Sequence, residues 1–259
     1  MKTYSTKQIL QIALPILISV LMEQLIGMTD AAFLGRVGEV ELGASALGGI
    51  LYISLFMLAV GFATGAQILM GRRNGEGNYT AIGSIFYHGI VFLLLLALVI
   101  TGATLMWGEG LMRLMIKSEA VAEAATTYLN WRVVGYGAAV ICAMFRAFYV
   151  ATTNTRTLTY NSIIMVGGNI ILNYALIFGA LGMPRMGIAG AALASSLASI
   201  LSVVFFVVYY IISTSGEKIA KDIETACATL SADLQNAVKG VTEAYTSAIA
   251  TAKNELTEA

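Results

Sequence analysis

The chain has 259 residues, of which 58% are hydrophobic and 12% are charged, and its mean hydropathy is +0.80. Soluble domains carry about 25% charged residues, so this composition excludes an ordinary water-soluble protein and predicts an integral membrane protein. The formal net charge is zero, which argues against a nucleic-acid partner.

Long apolar runs predict six transmembrane helices, because a helix needs about 20 apolar residues to cross a bilayer. The predicted fold class is therefore an all-α integral membrane protein with a six-helix bundle over residues 1–213. The six runs are approximately Ile9–Leu34, Leu42–Met70, Ala81–Trp107, Val121–Val150, Leu158–Leu181 and Ile188–Ile212.

The basic residues between these runs indicate an orientation. An excess of lysine and arginine marks the cytoplasmic side, which places both ends of the bundle in the cytoplasm and the chain in the cell membrane. One side would carry Lys2, Lys7, Arg72, Arg73, Arg156, Lys218 and Lys221, and the other Arg36, Arg113, Lys117 and Arg185.

Two acidic residues, Glu23 and Asp30, end the first apolar run. Their spacing of seven residues places them on nearly the same face of a helix. An acid inside a membrane span is costly and normally faces a polar cavity or a cation, so the pair is a candidate proton or cation site. The alternative for Asp30 is an interfacial acid paired with Arg36. Earlier in the same run, Pro15 removes a backbone hydrogen bond and predicts either a hinge or a static bend.

Other polar residues interrupt the fourth and fifth runs. Asn169 and Asn173 are one helical turn apart, so their amides can coordinate a cation or bond a carboxylate; the alternative is a hydrogen bond between helices. Arg132 and Arg146 are expected to extend towards the membrane surfaces. The sequence shows no nucleotide-binding loop, metal-ligand cluster or nucleophile motif, so neither an enzyme nor a cofactor is expected.

The last stretch, residues 216–259, has a different pattern. Apolar residues recur every eleven positions, which is three helical turns, so one face of a long soluble helix stays apolar. Seven acids and four lysines disfavour an anionic lipid surface, so pairing with another copy or another protein is favoured; the alternatives are a helix lying on the membrane surface and an irregular tail. The three periodic series are Ile219, Leu230, Val241 and Ala252; Ile223, Leu234, Tyr245 and Leu256; and Cys227, Val238 and Ile249.

Several segments, in the same order along the sequence, resemble the multidrug and toxic compound extrusion (MATE) family. Residues 28–36 read Met-Thr-Asp-Ala-Ala-Phe-Leu-Gly-Arg and residues 41–46 Glu-Leu-Gly-Ala-Ser-Ala; they are similar to that family's first-helix region. The other similar segments are Gly-Phe-Ala-Thr-Gly-Ala-Gln at 61–67, Gly-Arg-Arg-Asn-Gly-Glu-Gly at 71–77, Thr-Asn-Thr-Arg-Thr at 153–157, Asn-Ile-Ile-Leu-Asn-Tyr at 169–174 and Gly-Ile-Ala-Gly-Ala-Ala-Leu-Ala-Ser at 187–195.

The resemblance implies a Na+- or H+-coupled antiporter that exports organic, often cationic, drug-like compounds. It implies that Asp30, Asn169 and Asn173 form a cation site, with Na+ as one candidate ion, and that a hydroxyl at Ser195 contributes. It associates Pro15 with bending of the first helix. Glu23 has no counterpart in the resemblance and depends on the helix-face argument alone.

Members of that family usually have two six-helix lobes, with the substrate cleft between them, whereas this chain resembles one lobe. A homodimer could rebuild the cleft, with residues 216–259 clamping the two copies together. The alternative is a truncated or engineered lobe whose helical tail serves assembly and which does not transport.

Overall fold

The structure is a computed structural model that describes residues 6–213, 225, 227–243 and 246–247. Within these residues the regular structure is entirely helical, without a strand. This confirms the predicted all-α class. The helices of the bundle are α1 (Thr6–Leu34), α2 (Glu39–Gly75), α3 (Tyr79–Met115), α4 (Glu119–Val134), α5 (Tyr136–Ala151), α6 (Arg156–Phe178) and α7 (Ile188–Ser213).

Five of these helices are each long and apolar enough to cross a membrane, and the bent pair α4–α5 makes a sixth span when it is counted as one. The fourth predicted span is therefore two helices, not one, with a bend of 53° between them. The bend falls at Gly135, where a Cβ atom would lie only 2.5 Å from Cβ of Ser196. Only a residue without a side chain fits there, so the junction seats directly on α7.

Two helices run further than their apolar stretches: α2 covers Glu39–Gly75 where 42–70 was predicted, and α3 covers Tyr79–Met115 where 81–107 was predicted. α3 ends at Met115, eight residues beyond the predicted Trp107. The extra turns carry Glu109 and Arg113, whose side chains pair at 3.1 Å, so these turns suit water and not hydrocarbon. An apolar run marks the part of a helix inside the membrane, and a polar end can extend the helix past it.

α2 is the inner helix of the first half of the bundle, where it packs against α3, α4 and α5. An aromatic cluster joins α2 to α5: the rings of Tyr52 and Phe56 both meet Tyr136 edge to face, at centroid distances of 5.9 and 6.1 Å. The Tyr136 hydroxyl donates to the carbonyl of Leu55 at 2.9 Å, which satisfies its polar group inside the core.

α1 packs mainly against α6, and few of its side chains are buried. Its buried side chains include Ser19, Asp30 and Leu34. α6 and α7 pack closely beside it: a Cβ on Gly190 would lie 2.6 Å from the Leu176 carbonyl oxygen. The three helices therefore converge closely enough for short polar side chains to meet between them.

The described part of the tail is helical over 227–243. Its apolar side chains Leu230, Leu234, Val238 and Val241 are all exposed, between 44% and 71%, and their spacing puts them on one helix face. The chain divides into two compact units between Val207 and Val208, somewhat before the predicted boundary at 213–216. Most of the periodic positions lie outside the described residues, so the continuous 216–259 helix and the domain boundary stay predictions.

Candidate functional site

Four polar side chains from three helices meet in the interior. Asp30 comes from α1, Asn169 and Asn173 from α6, and Ser195 from α7; Asp30 is 9% exposed and the other three are 3% exposed or less. Nδ2 of Asn173 donates to Oδ1 of Asp30 at 2.5 Å, and Oγ of Ser195 donates to Oδ2 at 2.9 Å. Each carboxylate oxygen thus has its own donor on a different helix.

The same four residues close a ring of hydrogen bonds, which we call the Asp30 ring. Because Asn169 and Asn173 are one turn apart on α6, Nδ2 of Asn173 also reaches Oδ1 of Asn169 at 3.0 Å. Nδ2 of Asn169 in turn donates to Oγ of Ser195 at 3.1 Å. The sequence prediction named these four residues as parts of one site, and the structure brings them into direct contact; their role in cation binding stays a prediction.

The chemistry of the Asp30 ring suits a hard cation. Its acceptors are a carboxylate, two amide oxygens and a hydroxyl, the oxygen ligands that such ions take. Oδ1 of Asn173 is buried and accepts no hydrogen bond from the described residues, although buried acceptors are nearly always satisfied. No ion pair to Asp30 occurs within the described range, so the pairing with Arg36 that we considered is not formed. The ring therefore combines a buried negative charge with an unused oxygen.

Glu23 lies outside the Asp30 ring. It is about two turns, or roughly 10 Å along the axis, from Asp30. Its carboxylate pairs with the Arg146 guanidinium of α5 through two contacts; in one of them, Nη1 donates to Oε2 at 2.7 Å. The two side chains are 24% and 36% exposed. Glu23 and Asp30 thus do not form an acidic pair, since each has partners of its own, and Arg146 is the partner of Glu23.

Pro15 lies inside α1, which continues through it from Thr6 to Leu34. Its carbonyl accepts hydrogen bonds from Oγ of Ser19 at 2.9 Å and from Oγ1 of Thr159 on α6 at 3.2 Å. Pro15 lacks the N–H that would bond the carbonyl of Gln11, so these two bonds to its own carbonyl do not replace the bond that it removes. The hinge role stays a prediction, and α6 contacts the helix at this point.

Arg132 is the residue near the site that the sequence prediction missed. Its guanidinium carbon lies 4.6 Å above the centre of the Tyr52 ring, and Nη1 is buried without a hydrogen-bond partner in the described part of the chain. Its charge interacts electrostatically with that of Asp30. The depth of Arg132 in the membrane could have been predicted by counting residues. Arg132 is eleven residues from Val121, or about 16 Å, which is the middle of a membrane about 30 Å thick and too deep for its side chain to reach the surface.

A bundle of membrane-spanning helices that encloses an oxygen-lined carboxylate is typical of a membrane transport protein. A family model described as MatE matches residues 15–175 of the chain. The chain belongs to this family, whose members are transporters and not enzymes.

Two curated relatives are multidrug resistance proteins. The chain is 31% identical over 193 residues to multidrug resistance protein PmpM of Pseudomonas aeruginosa, covering 73% of this chain and 40% of that protein. It is 28% identical over 190 residues to probable multidrug resistance protein NorM of Thermotoga maritima, covering 73% and 41%. The chain thus spans about two fifths of the length of the curated relatives it matches.

A solved structure agrees in fold. An outward-facing multidrug resistance MATE family transporter superposes with a TM-score of 0.74 at 20% identity, covering 84% of this chain and 50% of that one. The described bundle therefore corresponds to about half of a complete transporter of this fold.

Proposed function

We propose that this bundle is the cation-binding lobe of a Na+- or H+-coupled antiporter that exports organic, often cationic, drug-like compounds. The observation that carries the proposal is the Asp30 carboxylate, which is buried, hydrogen-bonded on both oxygens and free of an ion pair among the described residues. An acid in that position is expensive in a membrane protein unless a proton or a metal cation neutralises it. The names of the relatives support the substrate class.

Loading the site changes the bonds that join three helices. In the arrangement described, Asn173 donates to Asp30 and Ser195 donates to its other oxygen. A Na+ would need oxygen ligands, and an Asn173 amide that turned Oδ1 towards it would weaken the Nδ2 bond to Asp30. A proton on the carboxyl makes the same change in part, since one oxygen becomes a donor. Binding of a cation or a proton is thereby coupled to the packing of α1 against α6 and α7.

We propose that the substrate path also uses a second lobe, which the match of this chain to half of a solved transporter supports. We infer that the second lobe is another six-helix bundle, supplied by the same protein, by a second chain or by a second copy joined through residues 216–259. We place the protein in the cell membrane with both ends of the bundle in the cytoplasm, on the charge distribution of the connecting segments.

A second candidate function is an assembly role without transport. The observation in its favour is the exposed apolar face of the 227–243 helix. Such a face is unfavourable in water unless it meets another helix. In this case the tail binds a helical partner and the bundle serves as its membrane anchor.

Vesicles that contain the purified full chain separate these candidates. Efflux of a fluorescent organic cation is followed while a Na+ or a proton gradient is imposed in turn. We expect one gradient to drive efflux in the native chain, and Asp30→Asn to abolish the coupled part. Asp233→Asn is the matched control, since Asp233 lies on the exposed tail helix.

Coupled efflux that survives in Asp30→Asn would show that Asp30 is not the coupling residue. A native chain that gives no coupled efflux under either gradient would favour the assembly role. Chemical cross-linking of the native chain in the same vesicles then shows whether a second copy lies beside it.

A further inference from the structure

Arg132 is not neutralised by any acidic side chain in contact with it among the described residues. It forms no ion pair with a carboxylate within the described residues, and its Nη1 has no hydrogen-bond partner. The ring of Tyr52 lies 4.6 Å from the guanidinium carbon and offers it a cation–π contact. An arginine does not lose its proton inside proteins, so this is a permanent positive charge in the middle of the membrane.

α7 ties Arg132 to the Asp30 ring. Oγ of Ser196 lies 3.2 Å from the carbonyl oxygen of Arg132 and 3.1 Å from that of Trp131, and they share its one proton with the Ala192 carbonyl at 3.0 Å. The preceding residue, Ser195, donates to Asp30. Because Gly135 also lies directly against Ser196, consecutive residues of α7 hold the buried acid on one side and the end of α4 on the other.

The two charges interact without touching. No ion pair joins Asp30 and Arg132 within the described residues, yet the two charges are close enough to influence one another. In a dry interior the attraction between opposite charges extends well beyond contact distance. Repulsion between like charges has the same range, so a cation that enters the Asp30 ring must also approach Arg132.

We propose that Arg132 is the resident counter-charge of the Asp30 ring and that it sets the affinity for the coupling cation. When the ring is empty, Arg132 balances the carboxylate. When a cation enters, Arg132 opposes it and lowers its affinity, which lets the ion leave again. The proposal rests on the proposed function, in which Asp30 binds a cation.

A purely structural Arg132 would act differently. If the side chain only packs on Tyr52, its replacement lowers stability but leaves cation affinity unchanged or weakened. If it is the counter-charge, an uncharged replacement makes cation binding tighter even where stability falls. Affinity and stability therefore move in opposite directions in the second case alone.

The experiment measures binding of radioactive 22Na+ to the purified full chain at fixed pH, together with the thermal midpoint of each variant. Arg132→Gln and Arg132→Met remove the charge, and Arg132→Lys keeps it. Arg113→Gln removes an exposed arginine at the end of α3 as a matched control. Asp30→Asn tests the site itself.

We expect the two uncharged variants to bind Na+ about tenfold more tightly or more, and Arg132→Lys and Arg113→Gln to stay near the native value. Binding that appears only in the uncharged variants supports the proposal equally well. Unchanged or weaker binding in both folded uncharged variants overturns it, and the cation site survives if Asp30→Asn abolishes binding. Absence of binding in every variant instead overturns the Na+ form of the proposed function, and the role of Arg132 in Na+ binding with it.

Discussion

Asp30 and Glu23 lie two turns apart on α1 and have different kinds of partner. Asp30 is held by one amide and one hydroxyl, with no basic group in contact among the described residues. Glu23 is paired directly with Arg146 on α5. An acid that already has a counter-ion gains little from an external cation, whereas an acid held by neutral donors still has its charge to offer. Two carboxylates on one helix are therefore suited to different tasks, Glu23 to packing and Asp30 to the ion exchange proposed above.

The largest expected effect is on cation binding at Asp30. Asp30→Asn removes the only formal negative charge of the ring, and we expect the dissociation constant for the coupling cation to rise at least about a hundredfold, which matches the loss of a charge-assisted contact of about 3 kcal/mol. Glu23→Gln should raise it less than about threefold. Equilibrium binding of 22Na+ and proton release on cation addition measure both variants. Equal losses in the two variants would show that Glu23 belongs to the same site.

Substitutions at the two sites should affect the free energy of unfolding in the reverse order. Arg146→Met leaves the Glu23 carboxylate partly buried without its partner, which we expect to lower the free energy of unfolding by about 2 kcal/mol, below the value for a fully buried pair because both side chains retain some exposure. Glu23→Gln combined with Arg146→Met should recover most of this. Unfolding in mixed detergents measures it. Asp30→Asn should cost less than Arg146→Met, and a larger loss at Asp30 would contradict the comparison.

Ser195 gives a finer test of the ring. Ser195→Ala removes one donor to Asp30 and the acceptor of Asn169, and a single hydrogen bond of about 1 kcal/mol corresponds to roughly fivefold weaker cation binding. Ser199→Ala is the matched control. Its hydroxyl lies one turn along α7 and donates to the Ser195 carbonyl, so binding should stay within about twofold. A control that weakens binding as much as Ser195→Ala would mean that α7 packing, and not the hydroxyl, is responsible.

The smallest effect is expected at an acid outside the membrane-spanning part. Hydrogen bonds from Arg73 and then Arg72 hold the pKa of Glu76 below its ordinary value. A lowered pKa gives a contribution that is present above the unfolded-state pKa and is lost only as the pH falls through the lower folded value. Between about pH 8 and about pH 6 the carboxylate therefore stays charged. Glu76→Gln should change neither the thermal midpoint nor cation binding over that range, because exposed pairs contribute little; a clear shift would show that this loop contacts the site.

Much of the fold follows from composition along the chain. Apolar runs identify the spans because hydrocarbon tolerates little else, and the predicted start of α7 at Ile188 agrees with the structure. The break at Gly135 did not follow. Val133, Val134 and Tyr136 around it are as apolar as the rest of the run, and the glycine is required by its contact with Ser196, which lies in a distant part of the sequence.

The sequence predicted what kind of site the bundle holds, but only some of the contacts between the residues of the site. Helix spacing placed Asn169 beside Asn173, but nothing in that spacing brought α6 to Asp30; the family resemblance supplied that link. The same limit applies to Glu23, because its position on α1 could not show that Arg146 would face it from α5. Partners on different helices depend on how the helices pack, and a pattern within one helix carries no information about that.

The bend at Gly135 also bears on how the protein enters its membrane. α4 and α5 have 16 residues each, or about 24 Å of helix, and neither alone covers a hydrocarbon core of about 30 Å. Counted as one bent span, they must be released from the insertion machinery together. The residue that seats their junction, Ser196, is synthesised only after α6. During biosynthesis the bend of the fourth span therefore lacks its contact with Ser196 until α7 has been made.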